Sequence, residues 1–412
     1  MRTHTCRSLL LAALTLTLIG GRAEAQHRMR MPDATDITVT ASDGVPEIPF
    51  KLINNHLILP LSVNGSPPLD VVLDTGMPAP GLALYDSPEV AALELTIDPS
   101  MNARIGGAGG DGRHFSAQVA REESFAMPGL SADKVPVIIM PEMPGFTGYH
   151  DGIIGYSLFS RFVVELDYDN QVMRLLDPET YRAPEGSRTL PITLRSNLPY
   201  VTLGVTLGGA SFDAEVVVDL GASHAISLNT DEMEKIRVPE RALTAVVGRG
   251  LSGPVKGEIA RVPELRLAGA RLENVVASFP VSEHQNPRGV DSLAGNLGSD
   301  VLRRFNTTFD YAGLRLILQP NTAYGEPFGY DRSGIRLGYG VELTIESLIE
   351  GSPADESGLR IDDVITHVNG AEVEGGDYGE VRKALMGSGE VRLSIRRGDE
   401  TLDRSVSLRR LI

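Results

Sequence analysis

Two apolar segments of the chain end in the same triplet, Asp-x-Gly. Residues 71–76 read VVLDTG and residues 216–221 read VVVDLG. Three consecutive β-forming residues before each aspartate predict a buried strand. A hairpin signal precedes each strand, Asn64-Gly65 in the first copy and Gly208-Gly209 in the second. The pattern therefore predicts the same hairpin, strand and turn twice.

A second pair of segments shows that the repetition is a true duplication. Residues 155–168 read GYSLFSRFVVELDY and residues 298–311 read GSDVLRRFNTTFDY, an offset of 298 − 155 = 143. The Asp-x-Gly triplets repeat at nearly the same offset, 219 − 74 = 145. Self-similarity at a fixed offset indicates a duplicated structural unit. We expect two β-rich lobes, at residues 46–180 and 189–320, joined by a Pro- and Gly-containing linker.

The N-terminus has the pattern of a secretory signal peptide. Arg2 and Arg7 precede a short apolar run from Leu9 to Ile19, and Ala23-Glu24-Ala25 follows as a cleavage signature. We therefore expect residues 1–25 to be removed and the protein to be exported, to the periplasm or beyond. Residues 26–45 are polar and are predicted to form a flexible arm. No later run is apolar and long enough to predict a membrane span.

Composition narrows the choice of fold and partner. The chain has 44 Gly and 26 Pro residues, which favours turn-rich β structure. With 38 basic against 54 acidic residues the net charge is −16, and no basic patch predicts nucleic-acid binding. The single cysteine, Cys6, lies in the predicted signal peptide, and the eight histidines are scattered. We therefore expect no disulfide, no metal site and no cofactor.

The duplicated aspartates predict a specific chemistry. Lobes related by a two-fold axis would bring Asp74 and Asp219 together, and two adjacent carboxylates share one proton. Such a pair supplies a base and an acid at once, which suits hydrolysis by an activated water.

With these motifs the chain resembles the pepsin/retropepsin superfamily of aspartic proteases, in particular the bacterial exported kind with two lobes and an appended PDZ domain. The resemblance implies that Asp74 and Asp219 are the catalytic pair. It implies that Thr75, Gly76, Leu220 and Gly221 support the active-site loops. The apolar-Gly motifs of the family correspond to residues 153–155 (IIG) and 296–298 (NLG), and the glycine-rich stretches 106–112 and 248–253 are candidates for flaps.

The chain departs from the family pattern directly after the aspartates. Leu220 replaces the hydroxyl residue that braces the opposite loop, so a non-catalytic peptide-binding protein of the same fold is the alternative function. Met77 and Ala222 stand where pepsins carry a hydroxyl donor to the carboxylate. Without that donor we expect the rate maximum to lie nearer neutral pH. A second alternative is a serine hydrolase, because Ser223 follows a strand in a nucleophile-elbow-like turn.

The C-terminal segment predicts a separate small domain. Residues 337–345 (LGYGVELTI) form a glycine-rich turn before an alternating strand, and SPADESGL and DDVITHVNG follow at 352–359 and 362–370. These motifs resemble a bacterial PDZ domain, so we expect an α+β domain at residues 330–412. By this resemblance the domain binds peptide or protein C-termini, through the amides of Gly338, Tyr339 and Gly340 and the strand residues Val341 and Leu343.

Overall fold

The computed structural model describes residues 36–107, 109, 114–142, 150–230, 234–281, 294–338 and 340–412. Over these residues the protein is mainly β, as predicted. The first lobe contains twelve strands: β1 (Asp36–Val39), β2 (Glu47–Pro49), β3 (Lys51–Ile53), β4 (His56–Val63), β5 (Leu69–Leu73), β6 (Leu82–Tyr85), β7 (Ile97–Ile105), β8 (Phe115–Met127), β9 (Leu130–Met140), β10 (Gly152–Ile154), β11 (Val163–Asp167) and β12 (Val172–Leu176). Its short helices are α1 (Pro88–Ala91) and α2 (Tyr156–Phe159).

The second lobe and the C-terminal domain follow in order. The second lobe contains β13 (Arg188–Pro191), β14 (Thr193–Arg195), β15 (Leu198–Leu207), β16 (Ala210–Asp219), β17 (Ile226–Leu228), β18 (Leu243–Gly250), β19 (Gly253–Leu267), β20 (Ala270–Pro280), β21 (Gly295–Gly298), α3 (Ser299–Leu302), β22 (Phe305–Asp310) and β23 (Arg315–Pro320). The C-terminal domain contains β24 (Ile335–Leu337), β25 (Leu343–Leu348), α4 (Pro353–Glu356), β26 (Val364–Val368), β27 (Ala371–Glu372), a 3-10 turn (Gly375–Asp377), α5 (Tyr378–Leu385), β28 (Gly389–Arg397) and β29 (Glu400–Leu408).

The two lobes repeat the same strand arrangement. In the first lobe β10 lies parallel to β5 with Ile154 opposite Leu73, and in the second β21 lies parallel to β16 with Leu297 opposite Val218. The offsets, 297 − 154 = 143 and 218 − 73 = 145, are those of the sequence repeat. The predicted duplication is thus confirmed at the strands that carry the two aspartates.

Strands from both lobes form a shared six-stranded sheet, in the order β13-β23-β22-β11-β12-β2. At its centre β11 and β22 are antiparallel, and Glu165 lies opposite Thr308. Because 308 − 165 = 143 is the repeat offset itself, the pseudo-two-fold axis passes through this pair. The shared sheet therefore fixes the position of one lobe against the other.

Hydrophobic packing follows the same division. One cluster of buried side chains runs through both lobes, and a second cluster, which includes Leu343, Val381 and Ile395, lies within the C-terminal domain. Two of the short helices begin at a serine that caps the first turn. Ser87 accepts from the amide of Val90 in α1, and Ser352 accepts from that of Asp355 in α4. Among the described residues, no helix has the length and hydropathy to cross a membrane.

The expectation of a flexible arm at residues 26–45 is wrong for part of that segment. Asp36–Val39 form β1, which becomes the edge of the sheet by pairing with the first half of β9, in a register that sets Ile37 opposite Ala132. The open edge of β9 supplies the partner that a polar segment lacks on its own. Residues 1–35, with the predicted signal peptide, lie outside the described residues.

Candidate active site

The two predicted catalytic aspartates lie side by side between the lobes. Asp74 follows β5 and Asp219 ends β16. The amide of Gly221 donates to Oδ1 of Asp74 at 3.2 Å and to Oδ1 of Asp219 at 3.0 Å. One N–H group reaches both carboxylates, so the structure brings together the pair that the repeat predicts.

The glycine of each triplet leaves room for these carboxylates. The amide of Gly76 donates to Oδ1 of Asp74 at 2.5 Å. A Cβ atom built on Gly76 would lie 2.8 Å from Oδ1 of both aspartates, and one on Gly221 would lie 2.5 Å from Cγ of Asp74. No side chain fits at either place, because real Cβ contacts are longer than this.

The residue between aspartate and glycine differs in function between the lobes. Thr75 is buried, and its Oγ1 donates to the carbonyl of Val218 at 2.8 Å and accepts from the amide of Leu220 at 2.9 Å. The side chain of Leu220 is fully buried in the core, so it contributes only backbone to this brace. The asymmetry expected from the sequence is present. The hydroxyl of Thr75 makes both side-chain hydrogen bonds between the two loops, and Leu220 makes none with its side chain.

Two hairpin turns add a symmetric pair of contacts that the sequence reasoning missed. Asn55, in the turn between β3 and β4, donates from Nδ2 to the carbonyl of Ser223 at 2.8 Å. Asn197, in the turn between β14 and β15, donates to the carbonyl of Pro78 at 2.9 Å. Both turn residues have positive φ, 68° and 67°, which asparagine tolerates well. Each lobe therefore holds, by an asparagine side chain, the loop that follows the aspartate of the other lobe.

His56 extends the first of these turns toward Asp219. Its Nε2 lies 3.1 Å from the carbonyl of Gly221, to which it donates. Burial lowers the pKa of His56 to about 4, against the opposing effects of this hydrogen bond and of Asp219. The ring is therefore neutral near pH 7, with its proton on Nε2.

Asn296 lies in the second apolar-Gly motif, but the sequence reasoning gave it no contact to the aspartates. It lies on β21 beside the strand of Asp219, and its Nδ2 donates to Oδ2 of that aspartate at 2.7 Å. The sequence signal was available, because an asparagine stands where the first lobe has Ile153 in its apolar-Gly motif. The side-chain amide of Asn296 thus supplies Asp219 with the donor that the alanine at position 222 lacks.

Described residues of the two glycine-rich stretches contact each other. The β18–β19 hairpin turns at Leu251 and Ser252, and the β7–β8 hairpin turns between Ile105 and Phe115. The amide of Gly107 donates to Oγ of Ser252 at 3.2 Å. Position 108 and residues 110–112 of the first candidate flap lie outside the described residues. The described parts form two hairpins, one from each lobe, in contact near their tips.

The C-terminal domain places the predicted peptide-binding residues in different environments. Leu343 is buried at the start of β25, whereas Val341 is 84% exposed. The amide of Gly338 already donates to the carbonyl of Thr344 at 2.8 Å, so it is engaged within the domain. Gly340 lies against Gly375, since a Cβ atom on Gly375 would meet the carbonyl of Gly340. Tyr339 lies outside the described residues.

This domain also contacts the lobes near the active site. Arg249 of β18 forms an ion pair with Glu346 of β25 at 3.1 Å, with both side chains mostly buried. Arg382 of α5 donates to Oδ1 of Asn54, which lies in the β3–β4 turn beside Asn55 and His56. One contact therefore reaches a candidate flap hairpin, and the other reaches a turn that touches the loop after Asp219.

Comparison with known families identifies both parts of the chain. An aspartyl protease family model matches residues 59–158 and 203–301, and a PDZ domain model matches residues 344–397. The matched ranges fall in the two lobes and in the C-terminal domain. The protein therefore contains an aspartyl protease domain and a C-terminal PDZ domain.

Individual proteins match smaller parts or only the general shape. Probable CtpA-like serine proteases of Staphylococcus aureus strains bovine RF122 / ET3-1 and COL are 39% identical over 80 residues, 17% of this chain and 16% of each relative. The chain thus spans about a sixth of the length of these curated relatives. The crystal structure of an aspartic proteinase from Irpex lacteus aligns with 68% of this chain and 99% of its own, at 14% identity and a TM-score of 0.46.

Proposed function

We propose that the protein is an aspartic endopeptidase whose catalytic pair is Asp74 and Asp219. The observation that carries this proposal is the amide of Gly221, which reaches one oxygen of each carboxylate at 3.2 and 3.0 Å. Two carboxylates that accept from the same N–H group are adjacent, and adjacent carboxylates share a proton because two like charges disfavour each other. Proton sharing of this kind is the established chemistry of aspartic proteases.

The reaction follows from one ionised and one protonated carboxylate. A water between them loses a proton to the ionised member while its oxygen bonds to the peptide carbonyl carbon. The protonated member gives its proton to the carbonyl oxygen, which forms a neutral gem-diol. The C–N bond then breaks as the first carboxylic acid protonates the nitrogen, and a gem-diol hydroxyl returns a proton to the second carboxylate. The pair ends with one proton, as it began.

We infer that the enzyme is exported and acts on polypeptides outside the cytoplasm. The support for export is the N-terminal sequence, with its charged, apolar and small-residue regions in order. We further propose that the PDZ domain binds peptide or protein C-termini, with the amides near Gly340 receiving the carboxylate.

A turnover assay on a casein-type substrate tests the catalytic proposal. The variants Asp74→Ala and Asp219→Ala are expected to abolish hydrolysis. Asp377→Ala is the matched control, because Asp377 belongs to the third Asp-x-Gly triplet of the chain and lies in the PDZ domain. No hydrolysis by the unmodified protein, with peptides still bound, would favour the non-catalytic peptide-binding alternative.

The serine-hydrolase alternative is tested in the same assay. Ser223→Ala is expected to keep full activity if the two aspartates act through water, and loss of activity would favour a Ser223 nucleophile. The PDZ proposal is tested on the full chain by comparing a peptide that has a free C-terminus with its amide. Equal affinity for the two would contradict the carboxylate assignment.

A further inference from the structure

The β3–β4 turn of the first lobe touches the loop after Asp219 at two places. Asn55 donates from Nδ2 to the carbonyl of Ser223 at 2.8 Å, and His56 donates from Nε2 to the carbonyl of Gly221 at 3.1 Å. The amide of Gly221 donates in turn to one oxygen of each catalytic carboxylate, at 3.2 and 3.0 Å. The turn therefore helps to fix the N–H group that the two carboxylates share.

The matching turn of the second lobe shows which of these contacts is special to the first. Asn197 makes the contact that corresponds to that of Asn55, at an offset of 197 − 55 = 142. At the same offset, 198 − 56 = 142, Leu198 stands in place of His56. Leu198 is buried, and its side chain has no donor. The asparagine contact is common to the two lobes, whereas the histidine contact belongs to the first lobe.

The β3–β4 turn is also held from outside the lobes. It consists of Asn54 and Asn55, with φ of 48° and 68°, and Nη1 of Arg382 in α5 of the PDZ domain donates to Oδ1 of Asn54. The second lobe has Ser196 at the position of Asn54. Arg382 also lies close to His56, because the pKa of His56 is lowered first by burial and further by the charge of Arg382. A cation of the PDZ domain thus lies against the turn that supports the catalytic loop.

We propose that Arg382 is a positioning residue for the catalytic pair: from the PDZ domain it holds the β3–β4 turn, and this turn holds the loop after Asp219. This inference rests on the proposed function. Arg382 acts through Asn54 rather than on the reacting atoms. A hydrogen bond from a charged donor is stronger than one between neutral groups, and small displacements of catalytic groups lower the rate steeply. The PDZ domain then supports the active site in addition to binding peptides.

Steady-state kinetics of the full chain on a peptide substrate tests the proposal. Arg382→Met keeps the length of the side chain and removes the donor. We expect kcat to fall about tenfold, which corresponds to about 1.4 kcal/mol, and KM to change by less than about twofold. Arg382→Lys keeps a charged donor and is expected to recover part of kcat. Lys383→Met is the matched control, because Lys383 is the next residue of α5 and is exposed; it is expected to leave kcat unchanged.

Asn54 tests the same contact from the other side. Asn54→Gly removes the acceptor, and glycine suits the positive φ of 48° at this position. If Arg382 acts through Asn54, the Asn54→Gly variant and the double variant should each lose kcat to the same extent as Arg382→Met, since two changes to one contact are not additive. The Asn54→Gly variant decides the matter if Arg382→Met does not fold.

Arg382 has a second neighbour, and the kinetics separate its two possible roles. Burial raises the pKa of Asp331, in the segment before β24, to about 6, and the charge of Arg382 is among the influences that oppose this rise. If Arg382 served Asp331 alone, Arg382→Met would lower Tm and leave kcat unchanged, and the inference would be overturned. Losses of kcat that multiply in the double variant would overturn it as well. Both outcomes leave the proposed function intact, whereas an inactive unmodified enzyme would refute that function.

Discussion

Thr75 carries both side-chain hydrogen bonds of the brace between the catalytic loops. Thr75→Val keeps its shape but leaves the carbonyl of Val218 and the amide of Leu220 without their partner. We expect the free energy of unfolding to fall by about 2 kcal/mol, since buried groups left unpaired cost about 1–3 kcal/mol. Chemical denaturation measures the change.

Leu220→Thr is the natural counterpart of that substitution. The new hydroxyl would gain about 1 kcal/mol from one hydrogen bond, but the fully buried Leu220 would lose apolar burial. We therefore expect stability to change by no more than about 1 kcal/mol, with activity retained. A loss of more than tenfold in turnover would show that the shape of Leu220 itself holds the loops.

His56 makes stability depend on pH. Its pKa is about 4 in the folded protein against 6.5 ordinarily, so the unfolded chain binds more protons between these values. The contribution of His56 is therefore fully present above pH 6.5 and is lost as the pH falls toward 4. His56→Gln keeps a donor near the carbonyl of Gly221 without titrating. We expect this variant to lose less Tm between pH 7.5 and pH 4.5 than the unmodified protein.

The comparison is made by thermal denaturation at both pH values. His367→Gln, in β26 of the PDZ domain, is the control for a general effect of removing a histidine. An equal loss of Tm in the His56→Gln variant and in the unmodified protein would contradict the assignment of a buried neutral ring.

At the scale of single residues, the sequence predicted the two aspartates but not the side chains that contact their loops. Asp74 and Asp219 were predictable because each ends an apolar strand at the same place in a repeat. Asn55 and Asn197 were not, since an asparagine in a hairpin turn ordinarily serves only the turn. Their contacts to Ser223 and Pro78 exist because the two-fold relation carries each turn to the other lobe.

The two flap hairpins touch where a glycine leaves no room for a side chain. A Cβ atom on Gly107 would lie 2.8 Å from Cβ of Leu251. Gly107→Ala should therefore separate the hairpins and weaken their closure over a bound peptide. Overpacking costs about 1–3 kcal/mol, so we expect KM to rise about tenfold or more.

Steady-state kinetics on a peptide substrate measures this effect, and the chain provides a matched control. Gly248, in the other hairpin, has open space where a Cβ would stand and no positive φ. Gly248→Ala is therefore expected to leave KM unchanged. Equal effects of the two substitutions would show that chain stiffness, rather than the contact between the flaps, determines KM.

Elements were predictable where hydrophobic pattern and repeat agreed. The strands that carry the aspartates satisfied both criteria, and so did β11 and β22 of the shared sheet. β1 satisfied neither, because Asp36–Val39 is short and polar at its start, and it becomes a strand only through the open edge of β9. The sheet order likewise could not be predicted, since it depends on contacts between residues distant in the chain.

Across the whole molecule, the ion pair between Arg249 and Glu346 joins a flap hairpin to the PDZ domain. Glu346→Gln removes one charge of the pair and should allow that hairpin to open more easily. The side chains of Arg249 and Glu346 are 27% and 20% exposed. Ion pairs that solvent reaches contribute about 0.2–1 kcal/mol, so we expect KM to rise by up to about fivefold. Salt should raise KM in the unmodified protein by screening the pair, and should affect the variant less.

Kinetics at low and high ionic strength tests this link. Glu342→Gln is the matched control, because Glu342 pairs with Arg396 inside the PDZ domain. The link would be refuted by a salt dependence of KM that is the same in the Glu346→Gln variant as in the unmodified protein.

Glu165 and Thr308 face each other across the pseudo-two-fold axis. They influence whether each lobe could pair with a copy of itself. A first lobe paired with its own copy in the register of β11 and β22 would place Glu165 against Glu165. Like charges directly opposite across antiparallel strands are destabilising, whereas two copies of Thr308 would face each other without penalty. The isologous contact of a symmetric dimer is thus disfavoured for the first lobe alone. At this pair the two lobes suit each other, whereas the first lobe does not suit a copy of itself.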